Sequence, residues 1–348
     1  MHKKNLLAAA LTGVLASTCV FADENKVVYF YNWSEYMPQQ VLEQFEAETG
    51  IKVIYTSFDS NEAMYAKLRV LDEGSGYDLA VPSTYYVNKM RNEGLLQAID
   101  KTKLSNYENL DSSLLNKPFD PNNTYSVPYL WGSTGIAVNT ASLNPADFTR
   151  WQDLWKPELR ERVMLTNDMR EVFGMALMSL GYSGNDTQPE HIRQAYEKLR
   201  ELVPNVRTYN SDAPRMPYLE GETDVGLIWN GEAYMAQQED PNIQYIYPEE
   251  GVILWMDNLV IPKQAKHVEA AHAFINFLLR PEIAKLISEE IGYATPNQKA
   301  LAMMDENVRT NPVVYPNKAV VEKGEFQQDI GEALSVYEKY WELLKASH

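Results

Sequence analysis

Hydrophobic and polar positions along the first part of the chain alternate between two spacings. Short β-branched and aromatic runs at residues 27–31, 52–56 and 78–81 read as strands, and between them residues 39–48, 61–71 and 85–92 carry the wider spacing of helices. The first helix shows it plainly, with Val41, Leu42 and Phe45 on one face and Thr49-Gly50 ending it. Strands alternating with helices predict a mostly parallel sheet, hence an α/β unit. Between residues 120 and 139 the pattern gives way to Pro, Asn and Tyr-rich turns and then an extended run, which predicts a crossing into a second unit. That unit has helices at 170–180 and 189–202 and extended runs at 225–229 and 252–255. From Asp257 the chain reads as a strand and an amphipathic helix at 268–279, closed by Arg280-Pro281 and returning to the first unit. Residues 327–344 read as a last helix. The predicted organisation is two α/β lobes, 23–132 with 257–310 and 133–256 with 311–348, each a sheet flanked by helices, with a cleft between them.

The N-terminus changes the picture of where this chain works. His2, Lys3 and Lys4 precede an apolar run at 6–21 that ends in the small residue Ala22, the pattern of a cleaved signal peptide over residues 1–22. A membrane span needs about 20 apolar residues, and this run is shorter and diluted by Thr12, Ser17 and Thr18. The competing expectation is lipid attachment at Cys19, since residues 15–19 loosely resemble a lipidation site. Cys19 is the only cysteine, so the mature chain would form no disulfide in an oxidising compartment. A hydrophobic share of 45% is enough for it to rely on its core instead. The net charge of −17 argues against a nucleic-acid partner and favours small cations.

Signals for catalysis and metals are weak. His191, His267, His272 and His348 are scattered, with no pair at the i, i+4 spacing of zinc ligands, and there is no nucleophile elbow or phosphate loop. Acid pairs such as Glu249-Glu250 or Asp168 with Glu171 leave a secreted glycosidase open. Aromatic residues say more: Trp33 and Tyr36, Tyr85, Trp229 and Trp255 all follow or end predicted strands, where α/β sheets hold ligands. They are interleaved with Glu35, Asp168, Glu171 and Asp257. Acids pair ammonium groups, while ring faces attract cations and cover methylenes, so the set suits an amine on an aliphatic chain.

Residues 29–36 (YFYNWSEY), 77–85 (YDLAVPSTY), 116–122 (NKPFDPN), 228–231 (IWNG) and 291–297 (IGYATPN) resemble, in order and spacing, the periplasmic spermidine/putrescine-binding proteins of the PotD type. The resemblance spans essentially the whole mature chain. It implies the two-lobed type II periplasmic binding protein fold and a monomer without cofactor, metal or catalytic step. It also implies partners: a polyamine, and an inner-membrane ABC permease of two subunits with a cytoplasmic ATPase. By position it implies that Glu35, Asp168, Glu171 and Asp257 meet the ligand nitrogens and that Trp33, Tyr36, Trp229, Trp255 and Tyr293 enclose the methylenes. Ser83, Tyr85, Ser211 and Gln327 match supporting positions, and Ser34 stands where the family has threonine, keeping the hydroxyl. The choice between spermidine and putrescine stays open. Alternatives are a receptor of this architecture for ferric iron, using Tyr85-Tyr86, or for a sugar, and the glycosidase.

Overall fold

The computed structural model describes residues 26–70 and 76–347. The expected signal peptide and Cys19 lie outside them. The described strands are β1 (Val27–Trp33), β2 (Lys52–Phe58), β3 (Leu79–Ala80), β4 (Leu96–Gln97), β5 (Ser126–Asn139), β6 (Val163–Leu165), β7 (Val206–Tyr209), β8 (Val225–Trp229), β9 (Ile243–Ile246), β10 (Ile253–Pro262) and β11 (Glu325–Phe326). Their hydrogen-bonded order is β2-β1-β3-β10-β5-β8-β6-β7, with β4 and β11 beside β10 and β9 beside β5. β1 runs parallel to β2 and β3, and β6 runs parallel to β7 and β8. β5 and β10 pair antiparallel to each other between these groups. The two sheets expected from the sequence are thus joined in one path, because both crossovers are themselves long, almost wholly buried strands lying side by side.

Buried side chains form two large cores and a smaller one. Val28, Phe30, Phe45, Met64, Leu259 and Phe274 belong to the first, and Trp151, Phe173, Met175, Ile192, Tyr337 and Leu344 to the second. The small third core gathers Met164, Tyr218 and Ile228. β5 leaves the first core at Leu130 and enters the second by Ile136, whereas β10 passes from Ile253 in the second core to Trp255 in the first.

Several elements differ from the sequence expectation for physical reasons. β6, β7 and β9 are three or four residues long, too short for a periodicity to show. Arg280-Pro281, read as a stop, is also a start: Pro281 opens the helix Pro281–Ile291, where its missing N–H costs nothing, and Gly292 at φ 80° closes it. The last helix begins at Leu334 rather than near 327, since Gly331 takes φ 55° and its N–H is tied to the Asp329 carboxylate at 2.9 Å.

Candidate ligand-binding cleft

A cleft of about 520 Å³, partly open to solvent, lies where the strand ends of the two cores face each other. Its wall holds Trp33, Ser34, Tyr36, Ser83, Asp168, Glu171, Ser211, Trp229, Trp255, Asp257, Tyr293 and Gln327 from the sequence expectation, together with Asp212, Pro214 and Glu232.

Asp257 is aimed by an irregularity in β10 and β5. Leu130 opposes Asp257 but Pro128 opposes Asn258, so Tyr129 is an extra residue on β5 and the pairing kinks there. Asp257 also forms a bridge to Ser83. Its Oδ1 accepts from Ser83 Oγ at 2.6 Å and its Oδ2 from Tyr36 Oη at 2.9 Å. Asn61 fixes this arrangement, accepting from the Ser83 N–H at 3.0 Å and donating to Ser83 Oγ at 3.0 Å. Burial pushes the Asp257 carboxyl up to about 7 against the lowering effect of those two hydroxyls.

Asp168 and Glu171 come from one helix start. Asp168 caps the helix Met169–Ser179, accepting from the Glu171 N–H at 3.0 Å, and Glu171 lies in the first turn, where the helix dipole favours negative charge. Burial nevertheless raises both acids above the usual carboxylate range, Glu171 strongly, with the neighbouring Asp168 charge adding to it. Glu171 Oε1 accepts from Gln327 Nε2 at 3.0 Å. Glu171 Oε2 and Trp255 Nε1 are buried without a hydrogen bond of good geometry, although Thr134 and Trp229 are close enough to hold the Glu171 pKa down somewhat. Such orphaned groups are costly unless something occupies the cleft.

Aromatic rings pack edge-on around these acids. Tyr293 meets Tyr36 at 5.3 Å and Trp255 at 5.2 Å between centroids, and Trp33 meets Trp229 at 6.1 Å. Gly231 sets the place of Tyr293, since a Cβ there would stand 2.4 Å from the ring. Replacing Gly231 with Ala is expected to destabilise the fold by about 1–3 kcal/mol in urea unfolding, as overpacking does. An unchanged midpoint would mean that the ring yields freely.

Two expected residues are not on the wall. Tyr85 is buried behind Ser83: its hydroxyl accepts from Asn61 at 3.1 Å, and the Arg170 guanidinium covers its ring at 4.8 Å. Glu35 pairs instead with Arg215 at 2.7 Å. The residues missed were Asp212, Pro214 and Glu232. Glu232 stands three positions after Trp229 in the helix Asn230–Glu239, so the strand-end rule that singled out Trp229 would have reached it. Among the described residues no group of three or more His, Cys, Asp or Glu side chains is arranged to hold a metal ion.

Residues 40–316 match the model of the bacterial extracellular solute-binding proteins. The Escherichia coli spermidine/putrescine-binding periplasmic protein is 53% identical over 343 residues, covering 99% of this chain and 98% of the relative. The chain belongs to this solute-binding family. The E. coli putrescine-binding periplasmic protein PotF is a more distant member, 34% identical over 89% of this chain and 88% of its own. Among solved structures, the PotD substrate-binding protein of a Streptococcus pneumoniae spermidine/putrescine ABC transporter is 37% identical with a TM-score of 0.76, covering 92% of this chain and 99% of that one. An ABC-transporter protein from Listeria monocytogenes reaches a TM-score of 0.88 at 39% identity over 93% of this chain and all of that one. The family's periplasmic binding fold is the one described above.

Proposed function

We propose that the chain is a periplasmic receptor that captures spermidine or putrescine in this cleft and delivers it, unaltered, to a membrane permease driven by a cytoplasmic ATPase. One observation carries the reading: three buried acids, Asp168, Glu171 and Asp257, stand with raised pKa values among the rings of Trp33, Tyr36, Trp229, Trp255 and Tyr293. That environment is unfavourable for the empty protein and favourable once ammonium groups enter it. The names of the relatives support the same ligand class.

The two large cores serve as lobes, with the crossings between Leu130 and Ile136 on β5 and between Ile253 and Trp255 on β10. Ligand contacts split between them are satisfied together only when the lobes close, so the ligand stabilises the closed form and the permease reads occupancy from shape. Magnitudes require a mixed site. Burying about seven spermidine methylenes is worth at most about 5–6 kcal/mol, and micromolar affinity needs about 8 kcal/mol. Cation–π contacts and paired acids supply the remainder.

Other cargo fits less well. Ferric iron would need tyrosinates, yet burial raises both Tyr85 and Tyr86 far above the ordinary phenol range. Of the glycosidase acids, Glu250 is engaged in accepting the Trp151 N–H at 3.1 Å. Isothermal titration of mature, denatured and refolded protein with spermidine, putrescine and a neutral sugar tests the proposal. One-to-one polyamine binding at micromolar affinity or tighter is expected, with no heat from the sugar. Folded protein that gives no heat with either amine would sink it.

A further inference from the structure

The outer edge of the cleft is already filled by the chain's own cation. Arg215 Nη1 lies 2.7 Å from Glu35 Oε2 and 3.0 Å from Glu232 Oε2. Glu35 follows β1 and Glu232 follows β8, so a single guanidinium nitrogen joins the two sides of the cleft. Beside it the Ser34 hydroxyl donates to Asp212 Oδ1 at 3.1 Å, a second bond across the same edge. Glu232 is buried and lines the cleft next to Asp212 and Pro214. Glu35 sits at φ 50°, left-handed backbone that favours glycine.

We propose that Arg215 is an internal competitor for the ligand: its guanidinium occupies the position at Glu35 where the family resemblance places a ligand nitrogen, shares it with Glu232, and must be displaced by an amine that is to use that subsite. The inference rests on the polyamine reading and extends it to Glu232, Arg215 and the choice of amine. A guanidinium and an ammonium ask the same of these acids, N–H donors at hydrogen-bond distance and opposite charge. Arginine holds the place permanently charged, and being tethered it competes at high effective concentration. A diamine whose ends are met by Asp257 and by the Asp168–Glu171 pair gains nothing by displacing it. A longer triamine has a further nitrogen to place and does gain. Arg215 therefore tunes preference by ligand length, and its release from Glu35 frees one of the links that hold the two sides together.

The test is titration of Arg215→Met and of the unaltered protein with putrescine and with spermidine, reading the ratio of the two Kd values. Methionine keeps an apolar stem of similar length without the charge. The ratio is expected to move at least fivefold toward spermidine; an unchanged ratio, or a shift toward putrescine, overturns the proposal. Should Arg215→Met fail to fold around the buried Glu232, Glu35→Gln examines the same subsite at a side chain that is 48% exposed. Spermidine is then expected to lose at least threefold more affinity than putrescine, and equal losses overturn the proposal. Unaltered protein that binds neither amine would overturn the polyamine reading and this inference together, whereas binding with an unaltered ratio in the variants would overturn this inference alone.

Discussion

Spermidine binding to the Asp257→Asn variant is expected to weaken several-hundredfold, while the empty protein loses no stability at pH 8. The two halves of that result come from the same carboxylate. In the complex, Asp257 compensates an ammonium group removed from water, and taking away one partner of a buried pair costs about 3–5 kcal/mol. In the empty cleft the carboxylate has no cation of its own. It is held by the Ser83 and Tyr36 hydroxyls, which can rotate to meet an amide instead. Titration calorimetry reads the first half and thermal unfolding of ligand-free protein the second. Affinity equal to that of the unaltered chain would remove Asp257 from the site, and a large fall in the melting temperature would make its role structural.

The second large effect is in pH. Spermidine keeps its charge at pH values well below the ordinary amine range near 10, so between pH 5.5 and 8 the titrating groups belong to the protein. Asp257 ionises near 7 in the empty cleft, and a bound ammonium lowers that value, so binding releases protons wherever the free carboxyl is protonated. Affinity therefore falls as pH drops below 7, by about thirtyfold between pH 8 and 5.5 for a single such group. Glu171 and Asp168, also raised, act in the same direction. Stability of the empty protein follows the opposite sense: the Asp257 contribution is complete below its ordinary value of 3.8 and is lost as pH rises toward 7. The increase in melting temperature produced by spermidine should thus grow from pH 5.5 to 8, and the calorimetric heat at pH 6 should depend on the buffer. Affinity that is flat across this range would mean that the acids are already ionised in the empty protein.

The parts of the fold that carry a repeat were legible in the sequence. Val41, Leu42 and Phe45 mark one helix face, and Val225–Trp229 reads as a strand because several consecutive residues share one behaviour. What could not be read depends on partners distant in sequence. β6 is a strand because Val163 and Met164 lie beside Val225 and Gly226, and nothing local in three residues says so. The site divides in the same way. Trp33, Trp229 and Asp257 were visible from residue type and from place at strand ends, and the family motifs carried the rest. Glu35 and Tyr85 were equally visible but stand off the cleft wall, each covered by an arginine far away in sequence, Arg215 and Arg170. Which carboxylate is free and which is already paired is a property of packing.

The exchange of β5 and β10 between the cores also sets an order of events for a chain that emerges N-terminus first. β1, β2 and β3 can pair early, but β3 meets its other neighbour only through Val260 of β10, and Phe30 packs against Phe274. The first core must therefore wait for residues on the far side of the whole second unit. Contacts of such long sequence separation make folding slow, because loop closure is paid for before they form. The first core therefore closes only after most of the chain has appeared.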